Sequence, residues 1–137
     1  MSIEIEKITE KDTFPLHVLT SDAEVMKWVG NGETWTLRKV EKFIKYCIEE
    51  QKLKNTDRYN FFYKITLGKE FVGIIGLHKY KYEDEYNLTF YLGKSFQRKG
   101  YGSESFRLII KKFKKNKPKV KKIIADILEH NIASIKA

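Results

Sequence analysis

With 137 residues, 42% hydrophobic and 14% aromatic, the chain suits one domain built around one core. It holds no apolar run near the roughly 18 residues of a membrane span, and Met1-Ser2-Ile3-Glu4 lacks the basic region and apolar core of a signal peptide. A soluble, intracellular, cytoplasmic protein with no membrane partner is therefore expected, its net charge of +9 favours anionic partners, and its single cysteine excludes an intramolecular disulfide.

Along the chain, Ile3-Glu4-Ile5-Glu6-Lys7-Ile8 alternates as a strand, and Thr9 is placed to cap a short helix whose length Pro15 limits. Trp28 and Trp35 bracket Gly30 and Gly32 in a loop that, with the early helices, is expected to form the pocket for a bound molecule; the two rings either pack helices together or face that molecule. Thr36 is a potential cap for a helix with the apolar stripe Val40, Phe43, Ile44, Cys47 and Ile48. On that stripe Cys47 reads as core, not as a nucleophile. Residues 59–67 and 71–80 read as two strands joined by Gly68-Lys69-Glu70, and residues 86–92 as a third, rich in β-branched and aromatic side chains. Phe106, Ile109, Ile110 and Phe113 then recur at helical spacing, with Arg107, Lys111, Lys112 and Lys114 on the other face. Residues 120–128 form a last strand. The lysines from Lys111 to Lys122 have three readings: a solvated helix end, long-range attraction of an anionic small molecule, or a nucleic-acid platform. Phe113 is the run's sole aromatic and faces the core, so bases would have nothing to stack on and a nucleic-acid partner is not expected.

Between the 86–92 strand and the next helix lies Phe96-Gln97-Arg98-Lys99-Gly100-Tyr101-Gly102-Ser103. A strand, a glycine loop with inward N–H groups and a helix N-terminus make a cradle for a phosphate or pyrophosphate. Spacing separates three motifs. A phosphate-binding Walker loop fails because Leu88 stands where its first glycine belongs, although Gly93-Lys94-Ser95 matches its end. A dinucleotide fingerprint fails at Ser105, its third glycine position, although Asp126 mimics the ribose-binding acid. The pattern Gln/Arg-x-x-Gly-x-Gly/Ala fits Gln97-Arg98-Lys99-Gly100-Tyr101-Gly102 without a gap.

That last pattern resembles the acyl-CoA pyrophosphate loop of the GNAT superfamily of N-acetyltransferases, and the order of predicted elements is similar to theirs over nearly the whole chain. Val72-Gly73-Ile74-Ile75-Gly76-Leu77, Lys99-Gly100-Tyr101-Gly102-Ser103-Glu104 and Asn131-Ile132-Ala133-Ser134-Ile135-Lys136 look nearest to the ribosomal-protein alanine acetyltransferase branch. The resemblance implies an α/β (α+β) fold over residues 1–137 as a single domain, with a mixed, mostly antiparallel sheet flanked by helices and splayed between strands four and five. It implies acetyl-CoA as cosubstrate, no metal, and transfer of acetyl to a primary amine on a small molecule or a protein N-terminus.

The resemblance also distributes roles. Gln97, Arg98, Lys99, Gly100, Tyr101, Gly102 and Ser103 would hold the pyrophosphate, the backbones of Phe90, Tyr91 and Leu92 the pantetheine amides, and Asn131 the pantetheine region. Many relatives carry a catalytic carboxylate on strand four where Asn87 stands here. Glu85, with Glu83 and Asp84, is either a base acting through water or a polar turn, and His78 is the other candidate base. A thiolate-protonating Tyr, found in relatives about seven residues past the Asn, would fall beyond Ala137, and so would two further strands. The domain thus reads as C-terminally short. An apolar edge at Ile123, Ile124, Ala125, Ile127 and Leu128 would be covered by a homodimer or partner, or guarded by lysines. Two other classes stay open: a CoA-binding protein of this fold with weak or no turnover, and a basic nucleic-acid-binding module.

Overall fold

The computed structural model describes residues 2–27, 32–54, 58, 60–79, 85–116 and 122–125, with residues 85, 114–116 and 122–125 described by backbone alone. Five strands lie side by side in chain order: β1 (Ile3–Lys7), β2 (Asn60–Leu67), β3 (Glu70–Lys79), β4 (Glu85–Leu92) and β5 (Lys122–Ala125). The first four pair antiparallel. β5 joins in parallel, with Glu85 opposite Lys122 and Leu88 opposite Ala125. A parallel neighbour needs a crossover, and α4 (Tyr101–Asn116) supplies it. The expected mixed, mostly antiparallel sheet flanked by helices is what forms. The described β4–β5 ladder covers residues 85–88; the rest of the strand expected at 120–128 lies outside the described residues, and the expected splay with it.

Local signals set the element ends. The Thr9 N–H donates to Asp12 Oδ2 at 2.7 Å and so caps a single 3-10 turn, Glu10–Asp12, which runs into α1 (Thr13–Thr20). Pro15 sits in the first turn of α1, where a missing N–H goes unnoticed. Asp22 caps α2 (Ala23–Met26), and Thr36 Oγ1 accepts from the Lys39 N–H at 3.2 Å to start α3 (Leu37–Gln51). β3 begins at Glu70, earlier than expected, because Gly68 takes φ of 66° and lets a two-residue turn set Leu67 opposite Glu70.

Side-chain alternation sends the sheet's two faces into two cores. On one face Phe61, Leu77, Tyr86 and Leu88 meet Ile109 and Phe113 of α4. Ring centroids lie 4.7 Å apart between Tyr86 and Phe113 and 5.1 Å apart between Phe61 and Phe113. On the other, Ile74 and Tyr91 meet Leu16, Met26, Val40, Ile44 and Cys47 from the three N-terminal helices. Burial pushes the Cys47 thiol up to about 12, which fits the core role read from its place on the stripe. Among the described residues, no helix is long and apolar enough to cross a membrane.

Candidate functional site

β4 ends in a loop tied down by its own hydrogen bonds. Gly93 N–H donates to Val72 O at 2.8 Å, Phe96 N–H to Gly93 O at 2.9 Å, and Gln97 Nε2 reaches back to Leu92 O at 2.9 Å. Gln97 thus fastens the loop to the strand end. Arg98 follows with φ of 61°, a left-handed conformation that costs a non-glycine residue roughly 1–2 kcal/mol. Gly100 takes φ of 81°, and a Cβ built there would meet nothing within 4 Å. No backbone acceptor among the described residues takes up the N–H groups of Arg98, Lys99, Gly100, Tyr101 or Gly102, while Glu104 N–H already turns inward to Gly100 O. The result is a row of donors at the positive end of a helix of 16 residues, beside open space. Arg98 and Lys99 are exposed, Gly102 and Ser103 buried. An anion fits these residues on donor geometry alone.

The backbone of β4 has two edges with different occupants. Gly93 N–H points to β3, so by antiparallel alternation Tyr91 also turns its N–H and C=O to β3, opposite Ile74. Phe90 and Leu92 turn theirs the other way, and Leu92 O is the group that Gln97 takes.

The side chains of β4 separate likewise. Asn87, Thr89 and Tyr91 face α3, in cross-strand rows with β3 and β2. Tyr91 lies opposite Ile74 and Lys64, Thr89 opposite Gly76 and Phe62, and Asn87 opposite His78 and Asn60. In the middle row an added Cβ on Gly76 would lie 2.6 Å from Phe62 Cε1, so glycine is what lets that ring lie across β3. Between this floor and α3 is a cavity of about 420 Å³. Phe62, Thr89 and Tyr91 form its floor and Trp35 and Phe43 its wall, with Lys39, Lys42 and Tyr46 along the α3 side. Trp35 meets Phe43 and Tyr91 edge-on at centroid distances of 5.3 and 6.2 Å, so it both packs helix to sheet and lines the cavity. Burial holds the Tyr91 phenol well above its ordinary range, so it stays protonated.

The outer row is polar. Asn60 donates from its N–H to Glu50 Oε1 at 3.0 Å and from Nδ2 to Tyr46 Oη. Asn87 Oδ1 is buried with no hydrogen-bond partner among the described residues. His78, its cross-strand neighbour, is half-buried, and desolvation lowers its pKa below the ordinary value. The structure therefore brings His78 and Asn87 together. It places only the Glu85 backbone, at the start of β4 opposite Lys122. Trp28, Glu83, Asp84 and Asn131, the lysines at 117–121 and the phrase at 131–136 lie outside the described residues. Of the lysines inside, Lys111 is exposed and Lys112 Nζ lies 4.9 Å from the Tyr63 ring centroid, a surface packing role. The sequence places an acceptor pocket at the early helices and the loop from Trp28 to Trp35, and Trp35 with α3 does line the cavity; its sheet side, Phe62 and Thr89, is what the sequence does not announce. The signal for it was a glycine inside a strand pattern, which marks close approach of another group, and Gly76 was seen only as part of a family phrase.

The fold is thus a mixed α/β sheet whose fourth strand opens into an N–H cradle before a crossover helix. The acetyltransferase (GNAT) domain model matches residues 2–137, and the chain belongs to that family. An acetyltransferase (GNAT family) from Bacillus anthracis is 27% identical, with a TM-score of 0.78 over 99% of this chain and 76% of that one. RimL, the ribosomal L7/L12 alpha-N-protein acetyltransferase solved with coenzyme A, superposes with a TM-score of 0.80 at 16% identity, covering 98% of this chain and 75% of its own. AAC(6')-Ib, solved with ribostamycin and coenzyme A, gives 0.75 at 20% identity, covering 99% and 79%. Those two likenesses establish the fold alone. No curated protein matches the sequence.

Proposed function

We propose that this protein is an acetyl-CoA-dependent N-acetyltransferase acting on a primary amine. The observation that carries the reading is the row of N–H groups from Arg98 to Gly102 that no described backbone acceptor takes, with Gly100 at φ of 81° and open space beside it. Those donors and the α4 N-terminus would hold the pyrophosphate of acetyl-CoA, with Arg98 and Lys99 adding charge. Phe90, whose N–H and C=O face away from β3, would pair with the pantetheine amides as an added strand does; Tyr91 contributes side chain to the cavity, not backbone. Asn131 keeps the pantetheine role that the family pattern implies for it.

Acetyl-CoA supplies an activated acetyl thioester: the amine nitrogen bonds to the carbonyl carbon, the C–S bond breaks, and the proton lost by the ammonium is matched by one gained at sulfur. The residues of this chain prepare the amine. A free ammonium is inert, so it must lose a proton before it attacks. His78, kept neutral by burial, can accept the proton directly or through water, and Asn87 Oδ1 can accept a hydrogen bond from the amine. Glu85 stays the alternative base. A second reading, CoA binding without turnover, is favoured by one observation: among the described residues no carboxylate lines the cavity.

Calorimetric titration with acetyl-CoA tests the proposal. Micromolar binding that is lost in Gly100→Trp is expected, since the new side chain would fill the cradle, whereas absence of binding at millimolar cofactor would refute it. Release of free thiol on adding amines then separates turnover from binding alone.

A further inference from the structure

From the α3 cavity we infer the class of acceptor: a small primary amine on an aromatic-sized apolar body that also carries a carboxylate or similar anionic group. This rests on the acetyltransferase reading and deepens it. The cavity volume of about 420 Å³ lies in the range that takes one small molecule. Its inner surface is aromatic: Phe62 and Tyr91 below, Trp35 and Phe43 at the side, the last two 5.3 Å apart edge-on and Phe43 5.1 Å from Phe62. A polar, sugar-like body would lose its hydration there and find few partners.

Charge selects further. Lys39 and Lys42 stand three residues apart on α3, so both project along the same helix face at the cavity. Neither forms an ion pair with a described residue, and Lys39 Nζ lies 4.9 Å from the centroid of Trp35, the wall's outer ring. Among the described residues no acidic side chain lines the cavity, and the whole chain carries +9. A polycation is therefore repelled from both near and far, while an anionic substituent finds two ammonium groups at the α3 side. With the anion there, the amine end lies on the sheet, where the Phe62–Thr89 floor meets the His78–Asn87 row and Asn87 Oδ1 is a buried acceptor without a described partner. The aminoglycoside ribostamycin, bound by the structural neighbour AAC(6')-Ib, is the opposite kind of molecule, and the cavity here is built against it.

The test uses the full chain and three probes: 4-(aminomethyl)benzoate, benzylamine and spermidine. Binding is read by calorimetry with coenzyme A present and absent, in wild type and in the Lys39→Glu/Lys42→Glu double variant, whose substitutions are at exposed positions. Trp35 fluorescence in a Trp28→Phe background gives a second readout at the cavity itself. The expected result is that 4-(aminomethyl)benzoate binds about tenfold more tightly than benzylamine, as one partly desolvated charge pair provides, that spermidine binds weakest, and that the double variant abolishes or inverts this order. Spermidine binding as tightly as the aromatic acid, or a preference that survives the double variant, overturns the inference. If acetyl-CoA binds while the probes are not discriminated, the acceptor class fails and the acetyltransferase reading stands. If the probes are discriminated but acetyl-CoA does not bind, the acceptor role falls together with that reading.

Discussion

Gly76→Ala tests how the cavity floor is built. The added methyl would lie 2.6 Å from Phe62 Cε1 and 2.8 Å from Cγ, and because Cγ is the root of the ring, a rotation about its own axis gives no relief. Phe62 must tilt off β3, and it then loses its edge-on contact with Phe43, now at 5.1 Å. Overpacking of this kind costs about 1–3 kcal/mol and a lost aromatic pair about 0.5–1.5 kcal/mol. Alanine in place of glycine returns roughly 0.5–1 kcal/mol through the less disordered unfolded chain. The net is a loss of about 2 kcal/mol, or a drop in Tm of roughly 8 °C at this chain length. Urea unfolding followed by circular dichroism measures it, and a Phe62→Ala background supplies the control. With the ring gone, Gly76→Ala should become neutral or stabilise by about 0.5 kcal/mol. Acetyl-CoA binding should not change, because the cradle lies past the end of β4. A cost under about 0.5 kcal/mol, the noise of distant substitutions, or the same cost with and without Phe62, would refute the reasoning.

Two further outcomes follow from buried titratable groups. His78 has its folded pKa lowered by burial, so the unfolded state binds more protons: stability is full above the ordinary value near 6.5 and falls as pH drops through it toward the folded pKa. His78→Gln should flatten this acid-side slope in pH-dependent unfolding, and if it also removes the pH dependence of acetyl transfer below neutrality, the base role is supported; an unchanged slope refutes the burial argument. Cys47, 3% exposed and with its thiol raised to about 12, should react with iodoacetamide only as fast as the fold opens, and rapidly in urea. Rapid native labelling would remove it from the core.

The fold was legible wherever one residue type answers one physical need. Thr9 and Thr36 were read as caps because a helix start needs a side-chain acceptor or a paired carboxylate close by, and Gly68 as a turn because a tight hairpin needs a positive φ. The cradle was legible for the same reason, with Gly100 at φ of 81°. Arg98 in the left-handed region was not, since nothing about an arginine announces that conformation. The sheet side of the cavity was hidden because Trp35, Phe43, Phe62 and Tyr91 come from a loop and three separate elements, α3, β2 and β4, and only the strand register shows that Gly76 opens room for Phe62. The pairing of His78 with Asn87 is likewise a matter of register. Each had been noticed alone, and a one-residue slip would have sent them to opposite faces.

β4 explains why these parts belong to one site. Its alternation commits Tyr86 and Leu88 to the core under α4 and Asn87, Thr89 and Tyr91 to the α3 side, so the strand is anchored by one set of side chains while it presents the other. Its backbone alternates too, leaving Phe90 with donor and acceptor directed away from β3. Its end is clamped by Gln97, from which the chain passes directly into the N–H row. A molecule running from the cradle along that edge would meet the β5 ladder at Leu88 and so would arrive beside Thr89, the floor residue that an amine in the cavity would reach from the α3 face. Two ligands meeting across one strand need no induced movement of the core to react, and the rigid pairing of β4 with β3 over Leu92 to Tyr86 is what would hold them in line.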